Sequence, residues 1–378
     1  MKSNTQLRQD SIKRVLTEIK QKGPISKREL QAVTGFSWGN ISSVITLLMN
    51  EKYITPLGKQ ETFVGRKPEE FDISMSDNYI IGIDFNSEGI LAVVCDLKGR
   101  VISNYKAQFE EKNKEHALKS LYTLTEKVIS DNKSKKINYI ALAMQGEVDT
   151  ENGISVGISA IKGWKYIPIC AELKNLFGIE IVMLHDPDCL LYTERCFGFL
   201  SGKETENAIL LRIDHGIGIA ALLGGKMYMG SRSRTCEIGT SVVPVNGGWT
   251  LLKNLVNEKA IEAEYLRLSN NRITCDEIAA LAENGQETAK EIFINIGNVL
   301  GFALNNAIGL LNPERVILFG EFTKYSDLFL AETERLLNEL LGEEKPQIVL
   351  SGLKSDAAAV GASLFAADIV IQNLQFKN

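Results

Sequence analysis

A chain of 378 residues with 44% apolar and 24% charged residues is long enough for two or three domains and too apolar for disorder. No run of about 18 apolar residues stands out, and the amino-terminal MKSNTQLRQD lacks an apolar core, so neither a membrane span nor a secretory leader is expected. The net charge of −5 conceals an asymmetry: residues 1–68 hold 12 Lys and Arg against 5 Asp and Glu, and residues 69–378 hold 30 against 42, so a head of +7 precedes a body of −12. That balance points to nucleic acid as a partner of the head alone.

In the head, Ile12, Val15, Leu16 and Ile19 follow the i, i+3, i+4, i+7 spacing of one helical face, and Gly23-Pro24 ends that helix. Ser26-Lys27-Arg28-Glu29 reads as a capping box opening a short helix from Lys27 to Val33, stopped at Thr34-Gly35. Ser37 then caps a third helix whose apolar face is Ile41, Val44, Ile45 and Leu48. Three helices with a tight Gly turn between the last two make a helix-turn-helix. Its third helix would enter a major groove by Ser37, Trp38, Asn40, Ser42 and Ser43: Asn suits an adenine edge and Ser suits phosphates or bases. Trp38 has two readings, a press against sugars and thymine methyls or a place in the head's own core. Tyr53–Pro56 and Thr62–Pro68 are expected as two short strands of a wing. Its extended Gly65-Arg66-Lys67-Pro68 would lay Arg66 and Lys67 on a minor groove or on phosphates.

In the body, strands are expected at Ile80–Asp84 and Leu91–Asp96, joined by a turn at Phe85-Asn86-Ser87-Glu88, and at Val101–Phe109. A helix over Glu115–Asp131 follows, then strands at Ile137–Met144, Ile181–Leu184, Ala208–Ile213 and Ile219–Leu223, a helix at Glu291–Leu311 and a strand at Arg315–Phe319. Antiparallel strands followed by alternating units, occurring twice, fit an actin-like two-lobed α/β fold, with ligands at strand ends and between lobes. The six cysteines (95, 170, 189, 196, 236 and 275) are scattered without a CxxC pair and read as free thiols, mostly small core residues.

The chain resembles regulators of the ROK family, of the xylose-repressor and N-acetylglucosamine-repressor type, over nearly its whole length. The resemblance rests on the head with Gly65-Arg66-Lys67-Pro68, on Asp84, on Gln145-Gly146 with Gly163-Trp164, and on His185-Asp186-Pro187-Asp188 with Glu194 and Phe197-Gly198. It also rests on Gly216-Ile217-Gly218, Gly225-Lys226, Glu237-Ile238-Gly239, Asn312-Pro313-Glu314-Arg315 and Asp356–Ala362. It implies a winged helix-turn-helix over 1–75 and an actin-like effector and dimerisation domain over 76–378. Lobe 1 would take about 76–185 plus 362–378, and lobe 2 about 186–361. It implies a cytoplasmic homodimer on a palindromic double-stranded operator, with a small carbohydrate as effector and no membrane partner. The implied effector residues are Gln145, Lys162, Gly163, Trp164, His185 and Asp186 in the first part of the body, and Glu237 and Thr240 in the second.

Departures from the family pattern matter as much. Kinases of the family carry Asp-x-Gly-Gly-Thr, whereas Asp84 is followed by Phe85-Asn86-Ser87-Glu88, which removes the glycines and adds a negative charge where phosphate would sit. Gly320-Glu321 stands for a Gly-Gly pair near the adenosine site. Asp186 matches the kinase base and is read as a vestigial base that binds a hydroxyl, so no catalytic residue and no cofactor are expected. Thr240 stands where a zinc-binding His would be, and Ser241–Trp249 contains no cysteine, so no metal is expected. Ile161 replaces an Asn before Gly163-Trp164, with Lys162 beside it, so the pocket would hold an unusual sugar, a sugar phosphate met by Lys162, or nothing. His185 is either a ligand contact or a structural strand-end histidine. The leading reading is a DNA-binding repressor that senses a carbohydrate without phosphorylating it. A sugar kinase with an added head and a ligand-independent DNA-binding regulator are the alternatives.

Overall fold

The computed structural model describes residues 4–57, 68–214, 216–230, 237–245 and 247–376. Ile12, Val15, Leu16 and Ile19 are buried along one face of α1 (Asn4–Lys22). A two-residue strand, β1 (Ile25–Ser26), leads into α2 (Lys27–Thr34). The capping box is formed: Ser26 N–H donates to Glu29 Oε2 at 2.9 Å and Glu29 N–H donates to Ser26 Oγ at 3.3 Å. Gly35, at φ 72°, supplies the left-handed turn that ends α2. Ser37 caps α3 (Trp38–Asn50), which buries Ile41, Val44, Ile45 and Leu48 as its spacing requires.

The chain then forms β2 (Ile54–Leu57) and β3 (Glu70–Ile73), and β3 is the centre of an antiparallel sheet ordered β1-β3-β2. The strand expected over 62–68 lies, apart from Pro68, outside the described residues; β3 pairs with β2, and its Phe71 and Ile73 are buried in the head's core. Residues 58–67, with Arg66 and Lys67, lie outside the described residues.

The body begins with β4 (Tyr79–Asn86), β5 (Gly89–Asp96), β6 (Val101–Ala107), α4 (Lys114–Asp131) and β7 (Ile137–Met144). It continues through β8 (Glu147–Asp149), β9 (Ile154–Gly157), β10 (Lys165–Ile167), α5 (Ile169–Phe177), β11 (Glu180–His185) and α6 (Asp186–Phe197). The main sheet runs β11-β7-β4-β5-β6, with β11, β7 and β4 parallel and β5 and β6 antiparallel. Ile81, Ile83 and Phe85 of β4 pack with Leu121 and Val128 of α4 and Leu173 of α5 on one face.

The second part repeats this plan. Its strands are β12 (Ala208–Ile213), β13 (Ile217–Leu223), β14 (Lys226–Met227), a separate hairpin of β15 (Val242–Val245) and β16 (Gly248–Leu251), β17 (Arg315–Phe319) and β18 (Gln347–Leu350). Its helices are α7 (Glu258–Ser269), α8 (Cys275–Glu283), α9 (Glu287–Leu311) and α10 (Ser326–Leu341). The sheet order is β18-β17-β12-β13-β14, again a hairpin extended by parallel strands. α9 is long and apolar enough to cross a membrane, yet it places Ile292, Phe293, Leu300 and Leu304 in the core of this part.

The last helix, α11 (Ala357–Asn373), returns to the first sheet. A Cβ on Gly82 of β4 would stand 2.0 Å from Ala359 O, so only glycine lets α11 lie this close. The chain accordingly divides into one compact unit of 1–193 with 355–378 and a second of 194–354. The expected breaks near 186 and 362 shift because most of α6 and the whole of α11 pack within the first unit. The head belongs to that same unit.

Candidate functional site

Parallel strands that end in register bring their following residues together. Phe85 pairs with Met144, and Met144 with His185, so the turn after β4, Gln145 after β7 and Asp186 after β11 share one sheet edge. This is the carboxyl edge, where open α/β sheets present ligands. Asp186 is buried at the start of α6, and His185 Nε2 stands 3.3 Å from Asp186 Oδ1. Asp188, also buried in the first turn of α6, has its carboxyl pushed up to about 7 by burial; His185 opposes that rise and Asp186 adds to it. The group can accept bonds from hydroxyls through Asp186 and hold a proton on Asp188 near neutrality.

The turn between β4 and β5 is tighter than expected. Asn86 pairs with Gly89, which leaves only Ser87 and Glu88 at the tip. Phe85 belongs to the strand and is buried against Trp164, with ring centroids 4.9 Å apart, and Phe109 at 5.5 Å. Trp164 is therefore a core residue rather than an effector contact: it is 5% exposed and its indole N–H donates to Ser155 Oγ at 2.7 Å. Both tip amides are engaged by side chains of the same unit. Ser87 N–H donates to Gln145 Oε1 at 2.7 Å and Glu88 N–H donates to Asn86 Oδ1 at 2.9 Å. The Gln145 oxygen thus holds the turn. Lys112 Nζ meets Glu88 Oε1 at 2.6 Å on the surface.

In the second unit, Asp214 Oδ1 accepts Glu321 N–H at 2.6 Å while Asp214 Oδ2 pairs with Arg212 Nε at 2.6 Å. Gly320 at φ 119° could not carry a Cβ, which would meet Ile213 O at 2.3 Å. His215, between Asp214 and Gly216, lies outside the described residues.

The remaining expected contacts divide between the units. Lys162 and Gly163 are exposed in the first, with Lys162 fixed through its backbone N–H to Lys112 O at 2.8 Å. Glu237 and Thr240 are exposed in the second, where Thr240 Oγ1 donates to Glu237 O at 2.7 Å. The stretch after Thr240 folds as the β15–β16 hairpin, with Val242 and Trp249 exposed.

In the head, Trp38 is 54% exposed at the amino end of α3, which decides between its two readings in favour of a surface position. Ser43 is exposed and Ser42 half-buried on the following turn. Ser37 Oγ accepts Asn40 N–H at 3.3 Å, so it acts as the cap. Asn40 is half-buried and its Nδ2 donates to Ser11 Oγ at 3.3 Å, which ties α3 to α1. Arg28 on α2 is exposed, and Lys27 Nζ lies 5.6 Å over the Phe71 ring.

Sequence reasoning did not single out Asp188, Tyr192, Lys20 or Asp368, all of which make buried or shared polar contacts. Asp188 stands in the His185-Asp186-Pro187-Asp188 run, and its burial in the first turn of α6 is set by packing. Lys20 and Asp368 lie too far apart in sequence for any local signal.

A family model described as "ROK family" matches residues 80–369. A xylose repressor of Bacillus subtilis is 23% identical over 371 residues, covering 94% of each chain. The solved structure of a ROK family transcriptional regulator, a homologue of the Escherichia coli MLC protein, superposes with a TM-score of 0.81 at 21% identity, covering 97% of this chain and 98% of its own. A ROK hexokinase from Thermus thermophilus superposes with a TM-score of 0.67 at 23% identity, covering 78% of this chain and all of its own.

Proposed function

The chain belongs to the ROK family, and from that premise we propose that it is a DNA-binding transcriptional repressor, cytoplasmic and homodimeric, whose body senses a carbohydrate without phosphorylating it. The observation that carries the reading is the turn after β4. Its two tip amides are held by Gln145 and Asn86, and Glu88 adds a carboxylate where a nucleotide phosphate would need free N–H donors. The Glu321 amide, held by Asp214, supports the same conclusion from the second unit. The likeness to the hexokinase extends over a body-sized share of this chain, whereas the regulator-like likeness spans head and body together.

On this reading the head is a winged helix-turn-helix. α3 offers Trp38, Ser42 and Ser43 to a major groove, and Arg66 and Lys67 supply the phosphate or minor-groove contacts of the wing. A palindromic operator follows from two such heads in one dimer. Asp186, with His185 beside it, accepts sugar hydroxyls at the carboxyl edge of the first sheet, and Glu237 and Thr240 are further candidates. The effector acts only through unequal affinity for the DNA-competent and DNA-released states.

The test is fragment selection from genomic DNA by the purified protein. Anisotropy titration of the selected fragment with and without D-xylose, glucose and N-acetylglucosamine follows. Selective binding that Trp38→Ala weakens about tenfold or more, with a sugar response absent from Asp186→Ala, supports the reading. ATP-dependent phosphorylation of any of these sugars in a coupled assay would overturn it.

A further inference from the structure

The head does not end in a free tether; it is fastened to the first sheet through α11. Lys20 of α1 is only 8% exposed, and its Nζ donates to Leu364 O at 3.0 Å and to Asp368 Oδ1 at 2.5 Å. A buried ammonium is tolerated only when its donors are matched, so this contact is strongly favoured in the docked arrangement. Gln9 Nε2 donates to Phe376 O at 2.9 Å, and the Tyr53 and Phe376 rings meet edge to face at 5.9 Å. On the far side, buried Asp72 of β3 accepts Lys98 Nζ at 2.9 Å and Arg100 Nη1 at 3.0 Å from the loop between β5 and β6.

The second oxygen of Asp368 accepts the hydroxyl of Tyr192 on α6, whose ring lies edge to face on Phe365 at 6.1 Å. α6 is the helix that Asp186 opens. Its fit against α11 has no slack: a Cβ on Gly361 would stand 1.8 Å from Cys189 O, and Thr193 Oγ1 donates to Ala357 O at 2.7 Å. One carboxylate is thus shared between the helix that begins at the proposed sugar site and the first helix of the head.

We infer that Asp368 is a positioning residue that couples α6 to the DNA-binding head, Tyr192 holding its carboxylate in the orientation that Lys20 requires. The inference rests on the proposed function for its biological meaning, since only there does α6 report a sugar and the head report DNA. The coupling itself is a property of the free protein. Loss of the Tyr192 hydroxyl frees one oxygen of Asp368, which turns toward solvent and loosens its hold on Lys20.

The experiment is amide hydrogen exchange on the full chain without ligand, comparing the native protein with Tyr192→Phe, Lys20→Met and the double variant. Tyr192→Phe keeps the ring on Phe365 and touches no head residue. The expected result is exchange in α1 (Ser11–Lys22) faster by about tenfold or more relative to the β7 amides Ile140–Met144 of the same unit. The double variant should be no faster than Lys20→Met alone. An α1 rate that rises only in step with β7, or two effects that multiply independently, overturns the coupling. A native protein that selects no DNA fragment would refute the proposed function and leave this exchange result standing, so the two failures are separable.

Discussion

Replacing Asp188 by Asn should change not only the stability of the first unit but the pH at which that stability is lost. The carboxyl is buried behind the start of α6 and titrates at about 7 in the folded chain, against an ordinary 3.8. The folded state therefore binds the proton more tightly than the unfolded chain does. Below pH 4 both states are protonated and the group makes no difference. As pH rises from about 4 to about 7 the unfolded chain ionises first, and stability falls; above about 7 the full penalty applies. The interval corresponds to about 4 kcal/mol, an upper bound of which roughly half is a fair expectation once the protein relaxes. Asp188→Asn keeps the size and removes the titration, so it should be more stable than the native chain by about 2 kcal/mol or more at pH 8 and close to it at pH 4.5. Urea unfolding followed by Trp164 fluorescence, in a background of Trp38→Phe and Trp249→Phe, reads the unit that holds Asp188. An equal difference between the two chains at both pH values would show that the carboxyl is already ionised in the fold, and the reasoning would fail.

Other substitutions test separate parts of the structure. Trp164→Ala removes a buried indole that backs Phe85 and bonds Ser155, and should lower the stability of the first unit by about 3–5 kcal/mol in urea unfolding followed by amide exchange of the β7 amides. Loss of the cap in Ser26→Ala should cost about 1 kcal/mol, visible as faster amide exchange at the start of α2; exchange unchanged there would mean that Glu29 does not depend on the box. Gly361→Ala drives a methyl into Cys189 O and should destabilise by about 1–3 kcal/mol, or prevent α6 and α11 from packing, as read from the thermal midpoint. Trp38→Ala, by contrast, should change the thermal midpoint little while weakening DNA binding, because more than half of the residue is exposed.

Much of the head and body was legible from periodicity and caps. The apolar faces of α1 and α3, the Ser26 box, and strands such as Ile137–Met144, Ala208–Ile213 and Arg315–Phe319 depend on spacing between near neighbours, which a chain carries in its own order. The Ser87-Glu88 tip between β4 and β5 was likewise visible as a break between two apolar runs. What spacing could not supply was partnership. Nothing in the sequence says that Gln145 turns its oxygen to Ser87, or that Trp164 gives its N–H to Ser155 rather than to a ligand. Nor does it say that Asn40 reaches back to Ser11. Nor does local propensity say that Phe71 and Ile73 of β3 fill the head's core.

The basic head and the twice-repeated α/β body are written in the residue order, because each follows from local pattern and composition. That Lys20, Tyr192 and Asp368 meet, and that Asp188 is buried deeply enough to hold a proton near neutrality, is set by the packing of the folded chain. Those outcomes depend on contacts between residues far apart in the chain and on the low polarity of the interior. Both exist only once the helices have packed on the sheet.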